Sequence, residues 1–116
     1  MRNLEGVNAQ DPGFAVIRLA GESDAYAAPR IRADLQGALG GSAPVVVDLS
    51  HATFLDSTVV GILLESLASS EQVELPLVLL LPDESAPEVH RLFELTGLAP
   101  LLPLVSSWDE AATRLS

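Results

Sequence analysis

A carboxylate followed by two hydroxyl groups is the feature of this sequence with the clearest chemical potential. Asp56, Ser57 and Thr58 lie side by side, directly before an apolar run with helical spacing. These residue types are the ordinary N-caps of helices, because their side-chain oxygens accept hydrogen bonds from free backbone N–H groups. A phosphorylated hydroxyl suits the same position, since a helix N-terminus offers N–H donors and a positive dipole to an anion. Both interpretations, a plain cap and a phosphorylation switch, stay open here.

Two other arrangements use the same stretch of chain. Ser57, His51 and Asp48 are the residue types of a hydrolase triad, but no G-x-S-x-G elbow surrounds Ser57. Asp48, His51 and Asp56 are metal-ligating types, yet their spacing does not fix a coordination geometry. We therefore predict no catalytic residue and no metal site. Asp48 is instead expected to organise the loop that follows it by accepting hydrogen bonds.

Composition and charge exclude several classes of function. The 116 residues include 16 acidic and 6 basic ones, which gives a formal net charge of −10, and every basic residue is Arg. Such a surface repels nucleic acid and anionic membranes. Without Lys there is no Walker P-loop, no Schiff-base chemistry and no phospho-accepting receiver site. Without Cys there is neither a disulfide nor a thiolate metal site. We predict that the protein binds no cofactor, nucleic acid or membrane.

The same survey indicates a cytoplasmic protein. No apolar run approaches the roughly 18 residues of a membrane span. Residues 1–13 lack the apolar core of a secretory signal. The Lys-free composition, rich in Ala, Leu and Arg, is typical of a bacterial source. A weak edge strand near residues 4–8 could pair between copies, so we expect a monomer or a weak dimer.

Alternating apolar runs predict the elements that position the Asp56 motif. Short runs bounded by Gly and Pro predict strands at 14–19, 44–49, 77–81 and 101–105, with the weak strand at 4–8 joined by an Asp-Pro-Gly turn. Apolar residues three and four apart predict helices that begin near Pro29, Ser57, Pro87 and Trp108. The order ββαβαβαβα predicts an α/β fold in a single domain over residues 1–116. We expect a mixed, mostly parallel sheet of four to five strands and about four helices.

Finer predictions concern the loop before the second helix and the helix ends. Residues 50–56 are predicted to form a loop. The second helix is expected to bury Val60, Leu63, Leu64 and Leu67. Ser85 to Glu88 and Ser107 to Glu110 have the spacing of capping boxes at the starts of the third and fourth helices.

Three segments resemble one known family, the STAS domains (sulphate transporter and anti-sigma factor antagonist). The signature-like run is Val45-Val46-Val47-Asp48-Leu49-Ser50, three further residues, then Phe54-Leu55-Asp56-Ser57-Thr58 and Gly61. The other two segments are Gly21-Glu22-Ser23-Asp24, before the first helix, and residues 92–98, at the end of the third. The predicted element order is similar to that of the family across nearly the whole chain.

This resemblance implies an anti-sigma factor antagonist, also called an anti-anti-sigma factor. Such a protein binds a cytoplasmic anti-sigma factor, a serine kinase, and so frees a sigma factor. The kinase would use its own ATP to phosphorylate Ser57, with Thr58 as the second choice, and a PP2C-type phosphatase would restore the hydroxyl. The chain would be a binder and a substrate rather than an enzyme. The implied partner-binding residues are Asp24, Asp56, Ser57, Thr58, Val59 and Val60.

The sequence departs from the family pattern in three places. Val59 stands where many members have Gly, which adds β-branched bulk close to Ser57. Ser23 replaces an aliphatic residue, and residues 69–76 lack the usual Gly before the next strand. One alternative function is a STAS scaffold subunit of a transport or other signalling complex, without covalent switching. A small-ligand or nucleotide sensor is a further alternative that rests on fold analogy.

Overall fold

A computed structural model describes residues 7–8 and 13–115 of the chain. The strands of this part are β1 (Val7–Asn8), β2 (Ala15–Arg18), β3 (Gly21–Ser23), β4 (Val45–Asp48), β5 (Ala52–Leu55), β6 (Leu77–Leu80) and β7 (Leu104–Val105). The helices are α1 (Ala28–Leu39), α2 (Ser57–Gln72), α3 (Pro87–Leu95) and α4 (Trp108–Leu115), with a 3-10 turn at Ala99–Leu101. In the described part of the chain no helix is both long and apolar enough to cross a bilayer.

The main sheet contains five strands in the order β1-β2-β4-β6-β7. Strand β1 is antiparallel to β2, and the other neighbours are parallel. This arrangement confirms the predicted α/β fold with a mixed, mostly parallel sheet. The strand predicted at 4–8 is confirmed at Val7–Asn8, whereas residues 4–6 and most of the predicted Asp-Pro-Gly turn lie outside the described residues.

The central strands are apolar except for Asp48 at the end of β4, because helices cover both faces of the sheet. Val45 and Val47 point into a core formed with α1, α2 and α3. Val46, between them, points to the opposite face, where it packs in a smaller core with Ala111 and Leu115 of α4. All four residues of β4 are buried, as are those of β6. The main sheet is therefore the rigid layer from which the neighbouring loops are positioned.

A second, two-stranded sheet was not predicted. Strands β3 and β5 pair in parallel, and β5 occupies most of the 50–56 segment for which we predicted a loop. Both strands are short, and Thr53 and Phe54 of β5 are exposed one after the other, so no alternating pattern marks the strand. This small sheet carries the chain from β4 to the start of α2.

The buried face of α2 differs from the prediction. Its buried residues are Val59, Ile62, Leu63, Ser66 and Ser70. Leu64 is 40% exposed and Val60 only partly buried. Residues 59–64 of this helix are apolar on every side, so hydrophobicity alone could not indicate which side faces the sheet. Two serines fit the core because their hydroxyls donate to backbone carbonyls of the same helix.

Of the two predicted capping boxes, the one at Ser85 is wrong and the one at Ser107 is confirmed in part. The capping box at Ser85 is wrong, because Ala86 adopts a left-handed conformation and the Ser85 hydroxyl donates to the Pro82 carbonyl. At α4 the Ser107 hydroxyl accepts from the Glu110 N–H as predicted, but the Glu110 carboxylate bonds to Ser106. The strand predicted at 101–105 shortens to Leu104–Val105, since prolines at 100 and 103 remove backbone donors.

Candidate functional site at the start of the second helix

Two acidic residues follow the paired ends of the small sheet. Ser23 of β3 is in register with Leu55 of β5, and the Asp56 N–H donates to the Ser23 carbonyl at 2.9 Å. Adjacent strands lie about 4.8 Å apart. Asp24 and Asp56, each one residue further along, therefore leave neighbouring strands at the same edge. The structure brings together these two acids, predicted from segments more than thirty residues apart in the sequence.

Each acid organises the start of a helix. The Asp56 carboxylate accepts from the Thr58 N–H at 2.7 Å, and its extended backbone is that of an N-cap. The Asp24 carboxylate accepts from the N–H groups of Tyr26 and Ala27 at 3.1 and 3.2 Å, just before α1. The plain capping interpretation is therefore confirmed for Asp56. This cap makes no use of the Ser57 hydroxyl.

Ser57 is the first residue of α2, and its side chain is exposed. Its hydroxyl makes no hydrogen bond with any residue in the described part of the chain, so no contact of the fold there occupies the oxygen. Backbone N–H groups in the first turn of a helix have no intrahelical acceptor, and they favour an anion. Thr58 is exposed too, but its N–H is taken by Asp56. The geometry suits a modified hydroxyl at Ser57.

Helix rotation divides the residues predicted to contact a partner. Successive residues turn by about 100°, which puts Val59 roughly 200° from Ser57. Val59 is 0% exposed, so the prediction that it lies in the partner-binding surface is wrong. Its bulk fills the core beneath the helix and takes no space beside Ser57. Val60 is partly exposed, and Gly61 returns to the Ser57 side, where an added Cβ would meet no atom within 4 Å.

A second polar cluster surrounds Asp48, which is 2% exposed. Its carboxylate accepts from Arg18 Nε at 3.1 Å, from the Ser50 N–H at 2.9 Å and from the Ser50 hydroxyl at 2.6 Å. The predicted loop-organising role of Asp48 is confirmed. Ser50 Oγ also lies 3.1 Å from His51 Nδ1. Because the single hydroxyl proton of Ser50 is donated to Asp48, His51 Nδ1 must carry the proton of this second bond.

The two clusters lie at opposite ends of β5. A strand of four residues spans about 13 Å. His51 precedes the strand and Ser57 follows it, so the structure does not assemble a triad from Ser57, His51 and Asp48. The same separation keeps Asp56 away from Asp48 and His51, and these residues form no common metal site.

An apolar groove beside the site was missed by the sequence analysis. It runs between β5 and α3, holds about 220 Å³, and is lined by Phe54, Leu55, Glu88, Arg91, Leu92 and Leu95. The α3 residues of this set recur at i, i+3, i+4 and i+7, the spacing of one helix face. Leu95, an apolar residue outside the stripe of Val89, Leu92 and Phe93, is the sequence signal that could have indicated it.

Comparison with known proteins places this architecture in a family. The sequence model of the STAS domain matches residues 7–111. The anti-sigma-B factor antagonist of Listeria monocytogenes is 32% identical over 100 residues, which cover 84% of each chain. The chain therefore belongs to the STAS domain family, in the group of the anti-sigma factor antagonists.

Solved structures agree with this assignment. An anti-sigma factor antagonist from Mycobacterium paratuberculosis superposes with a TM-score of 0.74 and 30% identity, over 94% of this chain and 90% of that one. The Bacillus cell fate determinant SpoIIAA, solved in its phosphorylated form, superposes with a TM-score of 0.69 and 27% identity, over 95% and 97% of the two chains. The resemblance drawn from the sequence is confirmed.

Proposed function

We propose that this protein binds an anti-sigma factor through the start of α2 and is released when Ser57 is phosphorylated. The observation that carries the proposal is the exposed Ser57 hydroxyl, which makes no hydrogen bond within the described residues and stands at the first position of a helix beside Asp24 and Asp56. The likeness to a protein solved in a phosphorylated form supports it. The chain acts as binder and substrate, in the cytoplasm, and the catalytic groups belong to its partners.

The chemistry of the switch is a phosphoryl transfer. Ser57 Oγ forms a bond to the γ-phosphorus of ATP held by the kinase, the bond to the β–γ bridging oxygen breaks, and ADP leaves. The hydroxyl proton passes to a base of the kinase. A PP2C-type phosphatase reverses the modification by hydrolysis, which yields the free hydroxyl and inorganic phosphate. Within this protein the reaction needs only an accessible oxygen.

Release follows from charge. Phosphoserine adds about −1.5 to −2 charge at neutral pH. The kinase must hold the nucleotide phosphates within reach of Ser57, so after transfer two groups of like charge face each other in an interface that excludes water. Like charges in such a setting cost several kcal/mol, on the order of a thousandfold in affinity. Asp56 adds to the local negative charge, while its cap keeps the start of the helix in place.

Binding and labelling of substituted proteins test the proposal. Ser57→Ala is expected to capture the anti-sigma factor from a lysate of the source organism and to accept no phosphate from it. Ser57→Glu is expected to lose the capture. Ser42→Glu, an exposed serine in the loop before β4, is the matched charge control and should bind like the unmodified chain.

Two results would contradict the proposal. The first is capture by Ser57→Glu that equals capture by Ser42→Glu, which would show that charge at Ser57 does not control release. The second is phosphorylation of Ser57→Ala at the wild-type rate. This result would show that another residue accepts the phosphate, and Thr58 would be the next candidate. Thr58→Ala is therefore included and is expected to be labelled normally.

The alternative of an unswitched scaffold subunit was motivated by Val59 beside the phosphoacceptor. The Val59 side chain is buried in the core and leaves the Ser57 hydroxyl open. This departure from the family pattern therefore does not favour a scaffold over a switch.

A further inference from the structure

We propose that the β5–α3 groove receives an apolar side chain of the anti-sigma factor, which anchors the partner next to Ser57. The inference rests on the proposed function and names a second contact region for the same partner. It comes from the placement of two exposed apolar side chains, Phe54 and Leu95, on one groove that Leu55 and Leu92 also line.

The exposure of these two side chains is the first argument. Phe54 is 48% exposed and Leu95 is 76% exposed, although both are large and apolar. Helix α3 already holds its place through Val89 and Phe93, which are buried on its other face. Much of the apolar surface of Phe54 and Leu95 therefore stays in contact with solvent in the folded chain. A partner that covers this surface would remove apolar area from water, which favours binding.

The size of the groove selects the kind of occupant. Pockets for metabolites commonly hold about 300–1,000 Å³. The groove holds about 220 Å³, which is small for a metabolite and suits an anchoring side chain of a protein. A second copy of this chain is a poor occupant, because each copy carries a formal charge of −10 and the two would repel each other.

Position and rim charge favour the partner that binds at Ser57. Phe54 precedes Ser57 by three residues, a span of at most about 11 Å of chain, so the groove is within reach of a protein that covers the hydroxyl. Glu88 and Arg91 on its rim are exposed, and neither forms an ion pair with another residue in the described ranges. An apolar side chain flanked by a carboxylate that faces Arg91 would complement this rim.

The chain offers a matched pair of leucines for the test. Leu95 and Leu101 are 76% and 75% exposed, and Leu101 lies on the 3-10 turn, away from the groove. Both would be replaced by Ser, and Phe54→Ala would be a second groove variant. The probe is the purified anti-sigma factor captured with Ser57→Ala. Its Kd for each unphosphorylated variant is measured by calorimetry, after circular dichroism has shown that each variant is folded.

We expect Leu95→Ser and Phe54→Ala each to weaken binding by about tenfold or more, as truncation of an interface anchor does. Leu101→Ser should stay within about twofold of the wild type. Wild-type affinity for both groove variants would overturn the proposal. So would a wild-type dimer, measured by light scattering, that Leu95→Ser converts to a monomer, because the groove would then belong to a second copy.

The outcome separates this inference from the proposed switch. If Ser57→Glu is released while Leu95→Ser binds normally, the switch holds and the groove proposal fails. If Leu95→Ser loses affinity while Ser57→Glu still binds, the groove holds and the switch fails.

Discussion

Replacing Glu74 with Gly is expected to stabilise the protein. Glu74 follows the C-terminus of α2 with a φ of 56°, the left-handed conformation that favours glycine. The surrounding hydrogen bonds are those of a Schellman motif, with the Leu75 N–H donating to the Ser70 carbonyl and the Glu74 N–H to the Glu71 carbonyl. A residue with a Cβ thus occupies the position that glycine usually takes.

The expected change in the free energy of unfolding is the difference between two opposing contributions. The left-handed conformation costs a residue with a Cβ about 1–2 kcal/mol. Glycine removes this cost but adds unfolded-state entropy, which opposes folding by about 0.5–1 kcal/mol. The substitution also removes a carboxylate that lies beside Glu71 and near the negative end of the helix dipole, which adds a small further gain in stability. We expect a net stabilisation of about 0.5–1 kcal/mol, or a rise in Tm of about 2–6 °C.

Thermal and urea unfolding of Glu74→Gly would measure the change, with an unchanged m-value as evidence that the denatured state is the same. Gln72→Gly is the matched control, since Gln72 is exposed and is the last helical residue of α2. There glycine should destabilise by about 0.5–1 kcal/mol. A Tm for Glu74→Gly that falls together with that of Gln72→Gly would refute the reasoning.

Three further predictions follow from the described geometry. Asp48→Ala removes a buried carboxylate that accepts three hydrogen bonds, and urea unfolding should show a loss of about 2–3 kcal/mol; a loss under 0.5 kcal/mol would contradict the network. Gly37→Ala, at an exposed helical position where a Cβ meets no atom within 4 Å, should gain about 0.5–1 kcal/mol, and a lower Tm would count against it. The backbone N–H of Ser106 and then its hydroxyl lower the pKa of Glu110 below its ordinary value of 4.5, against a smaller desolvation effect. The stability from this group is therefore complete above the unfolded pKa and disappears as the pH falls through the folded one. Carbon NMR should find Glu110 titrating below 4.5, and Ser106→Ala should reverse only part of that shift, because the backbone donor remains.

Helices and strands with a long or uniform pattern of apolar residues could be predicted from the sequence. The run 44–49 reads as a doubly covered strand because both of its faces are buried, and α1 begins at Ala28 beside the predicted Pro29. These elements carry local signals in the sequence, namely a run of apolar residues and a proline in the first helical turn.

The missed features depend on contacts that are distant in the sequence. Strand β5 forms because β3 lies beside it, and Thr53 and Phe54 give no alternation to indicate a strand. The family resemblance implies a partner-binding surface position for Val59, whereas helix rotation turns its side chain into the core. The β5–α3 groove requires two elements to meet, and neither element alone predicts it.

Asp56 and Ser57 have separate roles at the start of α2, and this separation has a consequence for the speed of the proposed switch. Asp56 fastens the first turn of α2 through the Thr58 N–H, and the neighbouring hydroxyl supports nothing in the described fold. Under the proposed switch, a phosphoryl group on that oxygen would change the surface charge without removing a hydrogen bond of the described fold. We would then expect the response time to be set by the turnover of the kinase and phosphatase and by the lifetime of the complex, with no backbone rearrangement as a slow step.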